Sequence, residues 1–395
     1  MNVKNLNKDI ALRTQCACVD DDGNFWLIPM SLSYLCCFAS VTGKLLKTIL
    51  IRQNTIIDDS AYTRAIWFNG KIICIPCTAA DIFVYDTDTG ETRYLPLHGY
   101  GNIIYYNIIQ YGNRLILFPA NYSDTGYAVD MAREQVTPFP LEFGQNNDIL
   151  QKAMVSPLFS GESYINDEAY LAVSGTDSHI VFNLNTWQMN IRKNPRKYIF
   201  NRIVCHAGAI YGISNEGTAL ISLNNDKQIE LPYKKKVQIT ANLETAYTDV
   251  ISISENTSVA IPAWGNDLVI LKENMTVSQV IDWSQLRLCG NILWPWIRFV
   301  VYDKKLILFP YQIEQSLIFR NMRKCVCYSN FSIKRTQLIS LLKSILQVSE
   351  TGQVFFEQVL PLDVALTFIQ EKKPRCKRIS VSNSGNKIYQ MMNRG

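Results

Sequence analysis

Short apolar runs separated by turn residues follow one another along the chain, and residues 61–97 show the unit clearly. Ala61 to Asn69 is strand-like, Gly70 is a turn, Lys71-Ile72-Ile73-Cys74-Ile75-Pro76 is a second apolar run, and Asp81-Ile82-Phe83-Val84-Tyr85-Asp86 is a third. Thr87-Asp88-Thr89-Gly90 makes a tight turn into a fourth run, Glu91 to Leu97. Four short strands joined at this spacing predict one antiparallel meander.

The unit recurs with a period of roughly 45 residues, and the end of its second strand is the best marker. The marker reads Trp26-Leu27-Ile28-Pro29, Cys74-Ile75-Pro76, Ile116-Leu117-Phe118-Pro119, Ala260-Ile261-Pro262 and Ile307-Leu308-Phe309-Pro310. Degenerate copies stand at 170–174, 210–214 and 353–357. Proline has no N–H and cannot sit inside a central ladder, so it marks where the strand leaves its sheet. One such meander buries too little surface to fold alone, and face-to-face stacking of neighbours supplies the core. The prediction is an all-β chain forming a single β-propeller of about eight four-stranded blades, with seven as the alternative. The repeats fall at approximately 11–52, 60–98, 103–142, 150–195, 198–233, 245–284, 292–331 and 338–382, with a short tail over 383–395. Residues 331–348 carry leucine and isoleucine at mixed spacing and fit a short helix as well as a strand; the tail reads as an appended helix or a frayed end.

Composition agrees. At 395 residues the chain would ordinarily suggest two or three domains, but blades that share one ring break that rule. Hydrophobic residues make up 48% and charged residues 18%, which is globular rather than disordered. A net charge of +5, from 39 basic and 34 acidic residues, does not by itself point to a polyanion. The 11 cysteines follow no framework spacing and several lie inside strand-like runs, where they read as small buried hydrophobes. So many thiols suggest a reducing compartment, and with no signal-peptide pattern in Met1 to Gln15 the expected localisation is cytoplasmic. No run of about 18 apolar residues occurs, so no membrane span is expected.

Val84-Tyr85-Asp86-Thr87-Asp88-Thr89-Gly90-Glu91-Thr92-Arg93-Tyr94 resembles the blade motif of bacterial quinoprotein-type propellers, with Tyr94 where that motif has tryptophan. Asn113-Arg114-Leu115-Ile116-Leu117-Phe118 resembles the second strand of Kelch-like repeats, without their Gly-Gly doublet. The resemblance implies a propeller of degenerate repeats and carries no chemistry with it. A quinone is not expected: turn formation at Gly90 explains the single good motif, and no cofactor is assigned.

No catalytic motif stands out. Cys16 and Cys18, and Cys325 and Cys327, each place two thiols on one strand face, but structural zinc favours wider spacing on knuckle turns, so no metal is assigned. The three histidines, His98, His179 and His206, show no ligand spacing. Basic clusters at 192–197, 234–236 and 372–378 fall on different rims, so nucleic acid is not an expected partner. Aromatic residues in loops are the main functional hint. Tyr122, Trp264 and Tyr311 fall in or beside second-to-third-strand loops, and Trp294, Trp296 and Arg298 in a fourth-to-first connection or first strand. Asp177 and His179, at the start of a third strand, complete the candidate binding set. The leading expectation is a non-enzymatic recognition or scaffold propeller that binds a protein or peptide across one rim. The alternative is an enzyme or small-molecule binder, of carbohydrate for example, at the channel mouth.

Overall fold

The computed structural model describes residues 10–11, 14–29, 34–39, 44–51, 61–77, 79–97, 105–119, 125–141, 159–232, 246–254, 257–262, 268–281, 296–302, 305–310, 316–320, 325–329, 332–333, 355–356 and 380–381. These form five separate four-stranded antiparallel sheets and one eight-stranded sheet that is two meanders joined edge to edge. The seven meanders span 14–50, 62–96, 105–140, 159–193, 200–230, 247–281 and 296–329, and strand order follows chain order in each. The eighth repeat expected over 338–382 lies almost wholly outside the described residues. Only Phe355–Phe356 and Ser380–Val381 are placed there, as a parallel pair. Ile10–Ala11 pairs antiparallel with Ser332–Ile333.

The chain divides into two compact units, Met1–Tyr94 with Ile297–Gly395, and Leu95–Trp296. In the first, the core lies between the first and second meanders. Cys16, Trp26, Leu35 and Cys37 of one sheet pack on Tyr62, Ile72, Cys74 and Phe83 of the next. In the second, three such cores follow in sequence. Phe118 and Phe139 of the third meander meet Leu171 and Phe182 of the fourth. Tyr170 and Val181 meet Phe200 and Ile203 of the fifth, and Val204 and Leu220 meet Tyr247 and Val269 of the sixth. Each middle strand therefore buries both faces, which is why the second and third strands read as unbroken apolar runs instead of alternating. Fourth strands such as Gln135–Pro140 and Met189–Lys193 are largely exposed, and Leu45–Leu50, though mostly apolar, is only half-buried, as outer edges are.

The first strands lie side by side from the first meander to the second and from the third through the sixth. Six of them share a defect near their start. A buried first residue (Thr14, Tyr62, Tyr105, Phe159, Phe200 or Tyr247) sits opposite the end of the second strand, and the register then slips. Four of these residues face Pro29, Pro76, Pro119 and Pro262, where a ladder donor is missing, but Phe159 and Phe200 face Val173 and Ser214. The bulge thus belongs to the blade and not to the proline alone. It turns the next polar side chain, such as Asn107, Arg202 or Asp249, onto the face shared with the neighbouring first strand.

Candidate functional site

Of the residues singled out from sequence, Tyr122, Trp264, Trp294 and Tyr311 lie outside the described residues. Trp296 and Arg298 belong to the strand Trp296–Tyr302, described for its backbone only. Asp177 and His179 are described. His179 lies within the strand Ser178–Asn183, is 5% exposed, and bonds through Nδ1 to Asn194 Oδ1 at 2.8 Å. Burial lowers its pKa, with Arg192 adding to the effect and Asn194 opposing it. Asp177 instead accepts from Lys193 Nζ at 2.5 Å, and that hydrogen bond leads in holding its carboxyl below the usual range. The two side chains share an end of the fourth meander without touching through these bonds, so they form no acid–base pair.

The polar residues that follow the bulges meet across three successive first strands. Arg202 Nε stands 3.1 Å from Asp249 Oδ2, and its Nη2 stands 3.5 Å from Glu162 Oε1. All three side chains are nearly buried, at 17%, 13% and 16% exposure. Burial opposes the charge on Arg202, but Asp249 and then Glu162 outweigh it and raise its pKa. This network straps the fourth, fifth and sixth meanders together, with one guanidinium shared between two carboxylates.

His206 is also buried in a strut between meanders. Its Nε2 lies 3.1 Å from the Lys272 carbonyl and so carries the proton, and Nδ1 accepts from Ser258 Oγ at 2.5 Å. Ser258 is fully buried and His206 is 2% exposed, so this serine–histidine pair is closed to substrate. Among the described residues, no group of His, Cys, Asp and Glu is arranged to hold a metal ion, and no helix is long and apolar enough to cross a membrane. Cys16, Cys18, Cys37 and Cys74 are free thiols of the first core.

The most exposed chemistry lies at the opposite end of the meanders, on the turns that join first to second and third to fourth strands. These turns are tied together in the second, third and fourth meanders, where the amide that follows the third strand donates to the first-to-second turn: Thr87 to Gly70, Met131 to Asn113 and Leu184 to Asp167. The third-to-fourth turn has one construction under different letters. Asp86 Oδ1 accepts from the amides of Asp88 and Thr89, and Gly90 closes the turn at φ 77°. Asp130 does the same for Ala132 and Arg133, and Asn183 for Asn185 and Thr186. In the fourth meander the closing residue is Trp187, at φ 64°. A tryptophan held in the left-handed region costs about 1–2 kcal/mol that glycine would not incur.

That tryptophan is one layer of a column that runs from core to surface. Phe139, 3% exposed, stacks on Trp187 with centroids 4.7 Å apart and rings 7° from parallel. The Arg114 guanidinium lies 5.6 Å from the Trp187 ring centre and 5.2 Å from that of Tyr111. Tyr164, 39% exposed, meets Tyr111 edge-on at 5.5 Å. Polar bonds lock the layers. Arg114 Nη2 donates to Asn185 Oδ1 at 2.9 Å, Asn185 Nδ2 donates to Tyr111 Oη at 3.2 Å, and Tyr111 Oη donates to Asp167. The Asp167 bond is the main reason the Tyr111 phenol is harder to ionise than usual. Sequence reading placed its aromatic hint on the other rim and missed this cluster. The available signal was Trp187 at the place that Gly90 fills in the reference turn.

No protein-family model matches the chain, and no curated protein matches it by sequence. Solved structures do. Virginiamycin B lyase from Staphylococcus aureus superposes with a TM-score of 0.53 at 10% identity, covering 77% of this chain and 96% of the lyase. A streptogramin B lyase gives 0.50 at 12% identity, covering 78% and 94%. The extracellular domain of BT4673 from B. thetaiotaomicron gives 0.50 at 11% identity, covering 80% of this chain and 40% of that one. At such identity the likeness shows the fold alone: this is an all-β propeller.

Proposed function

We infer that this propeller is a non-enzymatic recognition protein whose partner, a protein or peptide, docks on the turn rim of the third and fourth meanders. The observation that carries the reading is the column Tyr164, Tyr111, Arg114, Trp187 and Phe139. Aromatic rings and arginine concentrate binding energy at protein interfaces. Here they are already ordered by stacking and by three hydrogen bonds, so less side-chain freedom is lost on docking. A tryptophan kept in a strained turn at the surface supports the same reading, since such strain tends to be retained at functional positions. Cys16, Cys18, Cys36, Cys37 and Cys74 are buried thiols outside any disulfide, which supports work in a reducing compartment such as the cytoplasm.

The test is photo-crosslinking in the native host with p-benzoylphenylalanine in place of Tyr164. A discrete crosslinked polypeptide is expected, and it should be lost when Trp187→Ala is added. Crosslinking that is absent or indifferent to Trp187 would refute the docking surface.

A further inference from the structure

We propose that Arg114 is the specificity-determining residue of this rim, and that it reads a carboxylate on an acidic segment of the partner. The inference rests on the docking surface described above and specifies its chemistry.

Arg114 opens the strand Arg114–Pro119, one residue after the turn Gly112–Asn113. Its guanidinium lies over two aromatic rings and donates one hydrogen bond, to the neutral side chain of Asn185. Among the described residues no carboxylate pairs with it. Two carboxylates lie close in the fold: Asp167 is engaged by the Tyr111 hydroxyl, and Asp130, opposite Arg114 across the sheet, caps its own turn through the Ala132 and Arg133 amides and faces the Arg133 guanidinium at 3.8 Å. Arg202 is nearly buried and flanked by two carboxylates, whereas Arg114 is partly exposed and flanked by rings. A guanidinium has five donors in a planar fork. With one donor engaged by Asn185 and the plane set by the rings, the remaining edge suits a bidentate carboxylate. Tyr164, exposed and edge-on to the Tyr111 ring that Arg114 covers, supplies an apolar wall for the residue next to that carboxylate.

The experiment pans a phage-displayed random dodecapeptide library on the immobilised full-length chain. Selected peptides should be enriched in aspartate or glutamate next to an aromatic or aliphatic residue. Their capture should fall at least about tenfold on Arg114→Gln and markedly on Arg114→Lys, which keeps the charge and loses the fork. Both variants change the Asn185 bond, so a small drop in the urea midpoint is expected; a cooperative transition with the parent's slope excludes misfolding as the cause. Selection without acidic enrichment, selection that ignores Arg114→Gln, or no selection at all would overturn the proposal. If the crosslink at position 164 persists in any of those cases, the rim remains a docking surface and only the carboxylate reading falls. If the acidic selection succeeds and the host crosslink fails, the proposed partner falls and the anion site stands.

Discussion

Replacing Arg202 by methionine removes the cation and keeps most of the aliphatic volume. It leaves Glu162 and Asp249 facing the space it occupied, with side chains only 16% and 13% exposed. Removing one member of a buried ion pair costs about 3–5 kcal/mol, because the orphaned charges stay buried. The partial exposure of this network puts the expected loss at the lower end, about 3 kcal/mol, and for a unit of some two hundred residues that lowers the melting temperature by roughly 10 °C. Urea titrations of parent and variant at pH 7 measure this. A variant within about 1 kcal/mol of the parent would show that the strap contributes nothing and would refute the reasoning.

Two further outcomes follow from the same structure. Burial lowers the folded pKa of His179, so the unfolded chain takes up the proton first; stability should fall as pH drops below about 6.5, and His179→Gln should flatten that slope, as urea midpoints between pH 7.5 and 5.5 would report. Burial pushes the Cys37 thiol up to about 12, and those of Cys18, Cys36 and Cys74 also upward; Ellman's reagent at pH 8 should therefore leave these four unreacted in the native protein and titrate all 11 thiols in guanidinium, whereas rapid native labelling of any of the four would refute their burial.

The meander and its repetition were legible in the sequence because they are local. Four apolar runs between turn residues, with Pro29, Pro76, Pro119, Pro262 and Pro310 closing second strands, place strand ends correctly at five repeats. Where the proline is missing, at Val173 and Ser214, the strand still ends there because packing, not the letter, terminates it. The turn after the third strand was legible only where glycine stood. The Asp-x-x-Thr-Gly pattern ends at Gly90, yet Asp130 and Asn183 build the same turn with Glu134 and Trp187 in the left-handed place. Capping by a side-chain oxygen and a backbone bond to the adjacent turn hold that shape, and neither leaves a fixed residue type behind.

By itself, then, the sequence determined the strands, their order and the propeller fold, since hydrophobic period and turn chemistry act over a few residues at a time. Tertiary structure decided which side chains meet. Arg202 joins Glu162 and Asp249, 40 and 47 positions away, and Arg114 joins Trp187, 73 positions away, through a bulge, a twisted sheet and the stacking of one blade on the next. Those distances are set by sheet-to-sheet packing, and no local pattern encodes them.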